Sequence, residues 1–314
     1  MATAMPIVDG VIFISTLVDA MDNAGVTALT TAAKLVNYLR PVIVSSFVLY
    51  IMLWGWAMVN GMISEVVMDG VTRILKLGIV MGLVLGFGLT GNDQTLYTQF
   101  VYDFVWNGPE TMFQFLTGHT TETISVVSMA ASFLYTLGFD YFQEGIKMGT
   151  DQIDLVMFGL GSITVLAGTM LAATVITTLV FAKFMLSILI SVGPVFIVLF
   201  LFNGTRRLFE AWLGQLISNV ILIVLFGLAV NLIMGVLWDV LKTHFVAYLT
   251  GRVIDVVTGI LFGGPTTTAP SPVQGLGIVM VTYVCHLFLQ KVPPVADAMG
   301  RSLSLNLQTG LARK

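Results

Sequence analysis

The chain has little charge for its length, and this shortage sets its class. Only 10% of its 314 residues are Asp, Glu, Lys or Arg, whereas 57% are hydrophobic. Soluble domains carry roughly 25% charged residues. The mean hydropathy is +0.95. A helix needs about 20 residues to cross a bilayer, and several apolar runs approach or exceed this length. The composition therefore predicts an all-α membrane protein, a polytopic helical bundle with several transmembrane helices.

Side chains that carry chemistry are also scarce. Cys285 is the only cysteine, so no internal disulfide can form, and the three histidines are dispersed (His119, His244 and His286). We interpret His286, beside Cys285, as a hydrogen-bonded or lipid-facing residue rather than a metal ligand. No zinc, nucleotide-binding or serine-hydrolase motif occurs. A net charge of −3 provides no electrostatic case for binding nucleic acid. We expect no catalytic residue, no metal site and no cofactor.

Hydropathy and charge divide the chain into five segments and predict about five transmembrane helices. In chain order they are an N-terminal amphipathic helix (1–40), the first two transmembrane helices (41–90), an acidic helical region (91–154), the core transmembrane helices (155–238), and a borderline apolar segment with a basic tail (239–314). The N-terminal helix can lie at the membrane surface, against a partner subunit, or on its own bundle. The basic tail is expected in the cytoplasm.

The region 91–154 has eight acidic residues and one basic residue. Loops that flank spans and lack Lys and Arg lie outside the cytoplasm, so we expect this region in the periplasm. Its aromatic stripe is predicted to bind a partner, although packing within the chain accounts for it equally well. The residues of this stripe are Tyr97, Phe100, Phe104 and Trp106.

The run 155–202 contains 48 residues and a single charge, Lys183. A straight helix of this length would measure about 72 Å, more than twice the ~30 Å hydrocarbon core. We therefore expect the run to fold back, either near Lys183 to make two spans or near Gly193-Pro194 to make one span and a re-entrant piece. We favour two spans. In the other arrangement the borderline segment 275–290 also crosses the membrane.

Three glycines at four-residue intervals mark the second predicted span, Ile74 to Thr90. Gly78, Gly82 and Gly86 form a ridge that permits close approach of another helix. The partner helix can belong to the same chain or to another subunit.

The stretch Lys183–Val220 joins two apolar helices through a polar joint. The first helix carries Gly193-Pro194, and the joint carries Thr205, Arg206, Arg207, Phe209, Glu210 and Trp212. Arg206 and Arg207 are interpreted as interfacial anchors, or Arg206 pairs with Glu210 four residues later, which is the weaker order for a helical ion pair.

This arrangement resembles the TrbL family, the polytopic inner-membrane subunits of bacterial type IV secretion systems that are equivalent to the sixth VirB component. The close motif covers about 35 residues, and the layout of the spans around a central region extends the likeness to most of the chain. The chain departs from the family pattern at Asn203-Gly204, where we would expect an apolar-Pro-Ala-like turn.

The resemblance implies a multi-pass protein of the bacterial inner membrane that is not an enzyme. Such a subunit serves as part of a channel or assembly platform for pilus biogenesis and the movement of DNA or protein substrates. The implied partners are the pilin, the minor pilus-tip subunit, the bitopic periplasmic subunit, the secretion ATPases, membrane lipid, and copies of the chain itself in a ring, with a pentamer as the expected form. The alternative function is a stand-alone solute or ion channel or transporter.

Overall fold

The protein is helical in the residues that its computed structural model describes, and these contain no strand. The described residues are 5–62, 66–85, 97, 101–117, 134–135, 137–139, 141–142, 146, 155–262, 272–300 and 302. The helices are α1 (Met5–Val59), α2 (Val66–Leu85), α3 (Gly108–Thr117), α4 (Leu155–Leu199), α5 (Arg206–Phe262) and α6 (Pro272–Leu289), with a π-helical turn at Val101–Trp106. The predicted class, an all-α polytopic membrane protein, is confirmed.

Within the described residues, four helical stretches are long and apolar enough to cross a membrane. They are Asp19–Val59, Leu155–Leu199, Arg206–Leu237 and Gly275–Gly300. The predicted span Ile74–Thr90 extends beyond Leu85, where α2 ends, and its last residues, 86–90, lie outside the described residues. The borderline segment 275–290 is therefore part of a candidate span that continues to Gly300.

The first helix is continuous across the boundary predicted between residues 40 and 41. α1 is 55 residues long and contains Pro41, so the amphipathic segment and the first span form one helix. It ends at Val59. Gly61 adopts a φ of 67°, and the N–H groups of Gly61 and Met62 donate to the carbonyls of Met58 and Ala57. This is the left-handed glycine cap that closes many helices.

The predicted fold-back of 155–202 is wrong, because α4 runs unbroken for 45 residues through Lys183 and Pro194. At 1.5 Å per residue it is about 67 Å long, so much of it extends beyond a ~30 Å hydrocarbon core. Two features suggested a break, the charge of Lys183 and the N–H that Pro194 lacks. Side chains from elsewhere in the chain pair with the lysine and donate to the carbonyl that the proline leaves without a donor.

The chain divides into two compact units, each with its own core. The first comprises Met1–Thr16, Phe113–Leu179 and Leu225–Pro293, and the second comprises Leu17–Met112, Val180–Val224 and Pro294–Lys314. Fully buried residues of the first unit include Leu171, Phe226, Leu237 and Ile278. The core of the second unit includes Phe47, Val84, Leu186 and Trp212.

In the first unit, glycines bring the helical residues 137–139 against α4. A methyl group added to Gly161 would lie 2.7 Å from the Gly138 carbonyl oxygen and 2.7 Å from the Phe142 nitrogen. A methyl group on Gly168 would lie 2.9 Å from the Leu134 Cβ. The backbones therefore approach as closely as they do at small-residue contacts between membrane helices.

In the part of the chain that the structure describes, the predicted glycine ridge of α2 has no such neighbour at Gly78, where an added methyl group would meet no atom within 4 Å. Gly82 is buried, and Gly86 lies outside the described residues. Close packing along this ridge, within the chain or between subunits, stays a prediction.

Candidate functional site

The joint between α4 and α5 is closed by Thr205. Its hydroxyl donates to the Leu199 carbonyl at 2.8 Å, which is one of the carbonyls left without a helical donor where α4 ends. The backbone N–H groups of Thr205 and Arg206 both donate to the Phe202 carbonyl. The turn is therefore held by the chain's own polar groups, even with Asn203-Gly204 in place of the expected apolar turn.

Aromatic rings connect the last turns of α4 to the first turns of α5. Phe196 and Trp212 stack in parallel with centroids 5.9 Å apart, and Phe209 lies 5.8 Å from Trp212. Phe200 contacts Phe209 at 4.9 Å. Pairs of this kind contribute about 0.5–1.5 kcal/mol beyond the area they bury, so the rings fix the angle at which α5 leaves the joint.

The pair proposed between Arg206 and Glu210 is present. Arg206 Nε lies 3.0 Å from Glu210 Oε1, and the guanidinium lies 5.5 Å from the centre of the Phe200 ring. Arg207 is exposed, and its role as an interfacial anchor stays a prediction. The two arginines therefore differ, because Arg206 belongs to the packing of the joint and Arg207 points away from it.

Pro194 interrupts the hydrogen bonds of α4, and Tyr97 repairs the interruption. Proline has no N–H, so the Ile190 carbonyl four residues earlier lacks its helical donor. The Tyr97 hydroxyl donates to this oxygen at 2.5 Å. Burial raises the pKa of Tyr97 above its ordinary value, so the hydroxyl keeps its proton and remains a donor.

A second side chain donates to the same turn of α4. Trp212 Nε1 donates to the Leu189 carbonyl at 3.0 Å. Gly193 makes room for both donors, because a methyl group there would collide with the Tyr97 hydroxyl and lie 2.9 Å from the Trp212 ring. Gly193, Pro194, Tyr97 and Trp212 therefore form one cluster, which we call the Gly-Pro cluster.

Lys183 is neutralised inside the second unit. Its Nζ lies 2.5 Å from Glu110 Oε1 and 5.6 Å from the centre of the Trp106 ring. The lysine side chain is 12% exposed. Trp106 packs on Gly25, where a methyl group would collide with the indole. The lysine therefore occupies the middle of an apolar helix because a carboxylate and an aromatic face are supplied to it.

The aromatic stripe is divided by this packing. Tyr97 and Trp106 are 2% and 6% exposed, and they contact α4 rather than offering their rings to a partner. Phe104 is 65% exposed, so its partner-binding role stays a prediction. Phe100 lies outside the described residues. Hydropathy alone could not separate Tyr97 and Trp106 from Phe104, because all three are aromatic and they differ in burial.

In the first unit, His286 is hydrogen-bonded as expected. Its Nδ1 lies 3.0 Å from the Thr174 hydroxyl, and its Nε2 lies 3.0 Å from Gln290 Nε2. The neighbouring Cys285 is buried. Across the described ranges, no group of three or more His, Cys, Asp or Glu residues is placed to hold a metal ion.

Comparison with known proteins connects this architecture to a family. A family model described as TrbL/VirB6 plasmid conjugal transfer protein matches residues 47–264, more than half of the chain, including all of α4 and the joint. The chain belongs to the TrbL/VirB6 family. This match confirms the family that the residues of the joint indicated. The family contributes subunits to type IV secretion systems.

Individual relatives support the same assignment. The chain is 31% identical over 115 residues to "Type IV secretion system protein VirB6" of Bartonella quintana, a match that covers 35% of this chain and 36% of that protein. The corresponding Bartonella henselae protein is 30% identical over 115 residues. An uncharacterized Rickettsia felis protein is 25% identical over 185 residues, which is 56% of this chain and 20% of the relative. The chain thus spans only about a fifth to a third of these relatives.

Proposed function

We propose that this protein is an inner-membrane subunit of a bacterial type IV secretion system that forms part of a channel or assembly platform. In this role it supports pilus biogenesis and the transfer of DNA or protein substrates. The observation that carries the proposal is the family match over residues 47–264, which contains both helices of the joint. The Bartonella relatives carry the name of a type IV secretion protein.

The electrostatics of the site favour a platform over an ion-coupled transporter. Coupled transporters keep ionisable groups at membrane depth for their ions. Here Lys183 on α4 is already paired with Glu110, and Arg206 is paired with Glu210. The first pair joins α4 to α3 and the second lies within α5, so both charges are met inside the chain rather than presented to a solute.

The proposed partners follow from the same role. They are the pilin, the minor pilus-tip subunit, the bitopic periplasmic subunit, the secretion ATPases and further copies of this chain in a ring. Exposed Phe104 is the residue proposed to contact the tip subunit. Membrane lipid contacts the apolar face of α1, where Met52, Trp56 and Val59 are 66%, 61% and 87% exposed.

The function is tested by deleting the gene in its host and measuring substrate transfer and surface pili. Deletion is expected to abolish both, and a plasmid-borne copy is expected to restore them. The purified protein in liposomes is expected to show no solute or ion flux. Transfer at the parental level in the deletion strain, or flux that needs no other subunit, would contradict the proposal.

The docking residue is tested by Phe104→Ala alone and together with Phe100→Ala. We expect piliation to be lost while membrane insertion is retained. Phe181→Ala is the matched control, because Phe181 is similarly exposed at 62% but lies on α4. Normal pilus numbers in the double variant would contradict the docking role without affecting the assignment to the secretion system.

A further inference from the structure

We propose that Tyr97 is a positioning residue that replaces the backbone donor absent from Pro194. In this view α4 keeps its course at Pro194 only while the segment that carries Tyr97 is seated on it. The direction of the last turns of α4, and with them the Arg206-Arg207 joint, then depends on a segment that lies more than ninety residues earlier in the chain. This inference concerns the fold of the chain and stands apart from the proposed function.

Pro194 leaves one backbone carbonyl of α4 without its helical donor. Proline inside a helix removes one hydrogen bond and crowds the carbonyl four residues before it. Here that carbonyl belongs to Ile190, which is 1% exposed, so water does not reach it freely. A buried backbone acceptor needs a partner. Tyr97 is 2% exposed, and its hydroxyl provides that partner.

Gly193 and Pro194 act together at this carbonyl. Pro194 creates the vacancy, and Gly193 leaves the space through which the Tyr97 ring reaches it. An added methyl group at Gly193 would collide with the Tyr97 hydroxyl. The pair that looks in sequence like a helix breaker is therefore a docking point for a phenol.

The segment that carries Tyr97 contacts α4 at Lys183 as well as at Ile190. Tyr97 lies four residues before the π-helical turn Val101–Trp106, whose Trp106 ring faces Lys183. Glu110 pairs with the same lysine. The segment thus contacts α4 at Lys183 and again at Ile190. If it left α4, the helix would lose the donor at its weakest turn and bend at Pro194.

The test compares Tyr97→Phe in two backgrounds, with Pro194 and with Pro194→Ala. Alanine restores the N–H that Ile190 lacks, so the hydroxyl should matter only when proline is present. The reporter is a cysteine pair, Tyr50→Cys and Phe202→Cys, built in Cys285→Ser protein. The rings of Tyr50 and Phe202 lie 6.0 Å apart between centroids, and Phe202 lies in the joint.

With Pro194 present, Tyr97→Phe is expected to lower the rate of cross-linking by about tenfold, the effect of one buried hydrogen bond. With Pro194→Ala, the same change is expected to alter the rate by less than about twofold, because the helix supplies its own donor. If Tyr97→Phe does not fold with Pro194, recovery of a monodisperse protein in the Tyr97→Phe, Pro194→Ala double variant is the supporting result.

Trp212→Phe is the matched control. It removes the donor to the Leu189 carbonyl, whose helical donor would be the Gly193 N–H, present in both backgrounds. Its effect should therefore be the same with proline or alanine at 194. Equal losses for Tyr97→Phe in both backgrounds, failure to fold in both, or no loss with Pro194 would each overturn the inference.

Discussion

The two ends of α4 are held by different kinds of contact. Residues 155–179 pack in the first unit through glycines, with Gly161 against the backbone of Gly138 and Phe142. Residues 180–199 belong to the second unit, where a hydroxyl, an indole and an ion pair reach the helix. Lipid provides no hydrophobic drive between helices. Close approach is thus the main contact where the helix is regular, beside one hydrogen bond between Thr174 and His286, whereas several directed polar contacts hold the half that is interrupted or charged.

The largest effect is expected at the glycine contact. Gly161→Ala places a methyl group against backbone atoms that cannot rotate away, so we expect the free energy of unfolding to fall by about 3 kcal/mol. Gly159→Ala is the matched control, since its methyl group would meet no atom within 4 Å. Chemical unfolding in detergent measures both. Equal losses at the two positions would show that helix propensity, rather than close approach, governs this end.

The Gly-Pro cluster is expected to be somewhat more tolerant. Gly193→Ala meets side-chain atoms of Tyr97 and Trp212, which can shift, so we expect a loss of about 2 kcal/mol. Gly235→Ala on α5 serves as the control, because its surroundings are open. The same unfolding measurement applies. An unaffected Gly193→Ala protein would mean that the two donors do not need this space.

The ion pair comes next. Glu110→Gln removes the carboxylate that lies beside the Lys183 ammonium, and we expect a loss of about 1.5 kcal/mol, reduced from fully buried pairs because the Glu110 side chain is half exposed. Combining Glu110→Gln with Lys183→Met should recover most of this loss. Thermal unfolding at low and high salt measures the pair. A double variant no better than the single one would argue that Glu110 acts without Lys183.

The smallest effect is expected at the joint itself. Exchanging the charges, with Arg206→Glu and Glu210→Arg, keeps an opposite-charge pair at the same spacing and should change the free energy of unfolding by about 0.5 kcal/mol or less. Substrate transfer between cells is the second readout. Full transfer supports a packing role for the pair, whereas lost transfer in a stable variant would place a subunit contact there.

Sequence patterns predicted the features of this fold that depend on near neighbours. Apolar length predicted the membrane class. The residues of the joint were also identified, because Thr205, Arg206, Glu210 and Trp212 lie close together in the chain. The family resemblance rested on the same short stretch, which the family match contains.

The continuity of α4 could not be predicted, because its supports come from far away in the chain. The partner of Lys183 lies 73 residues earlier, and the donor to Ile190 lies 93 residues earlier. The periodicity of apolar residues along the chain shows neither of these contacts. Glycine spacing has the same limit, since it shows that a helix can be approached without showing which helix approaches. Gly78 fits the predicted ridge and has no close neighbour among the described residues, whereas Gly161 belongs to no regular ridge and has one.

The position of these supports has a consequence for biosynthesis. Protein chains emerge from the ribosome N-terminus first, so Glu110 and Trp106 are made before Lys183, and Tyr97 is made before Pro194. Lys183 and Pro194 of α4 are thus synthesised after the side chains that contact them or their turn of the helix. Trp212 is made only later, with α5. The order of synthesis therefore allows most of the contacts of α4 to form before α5 exists.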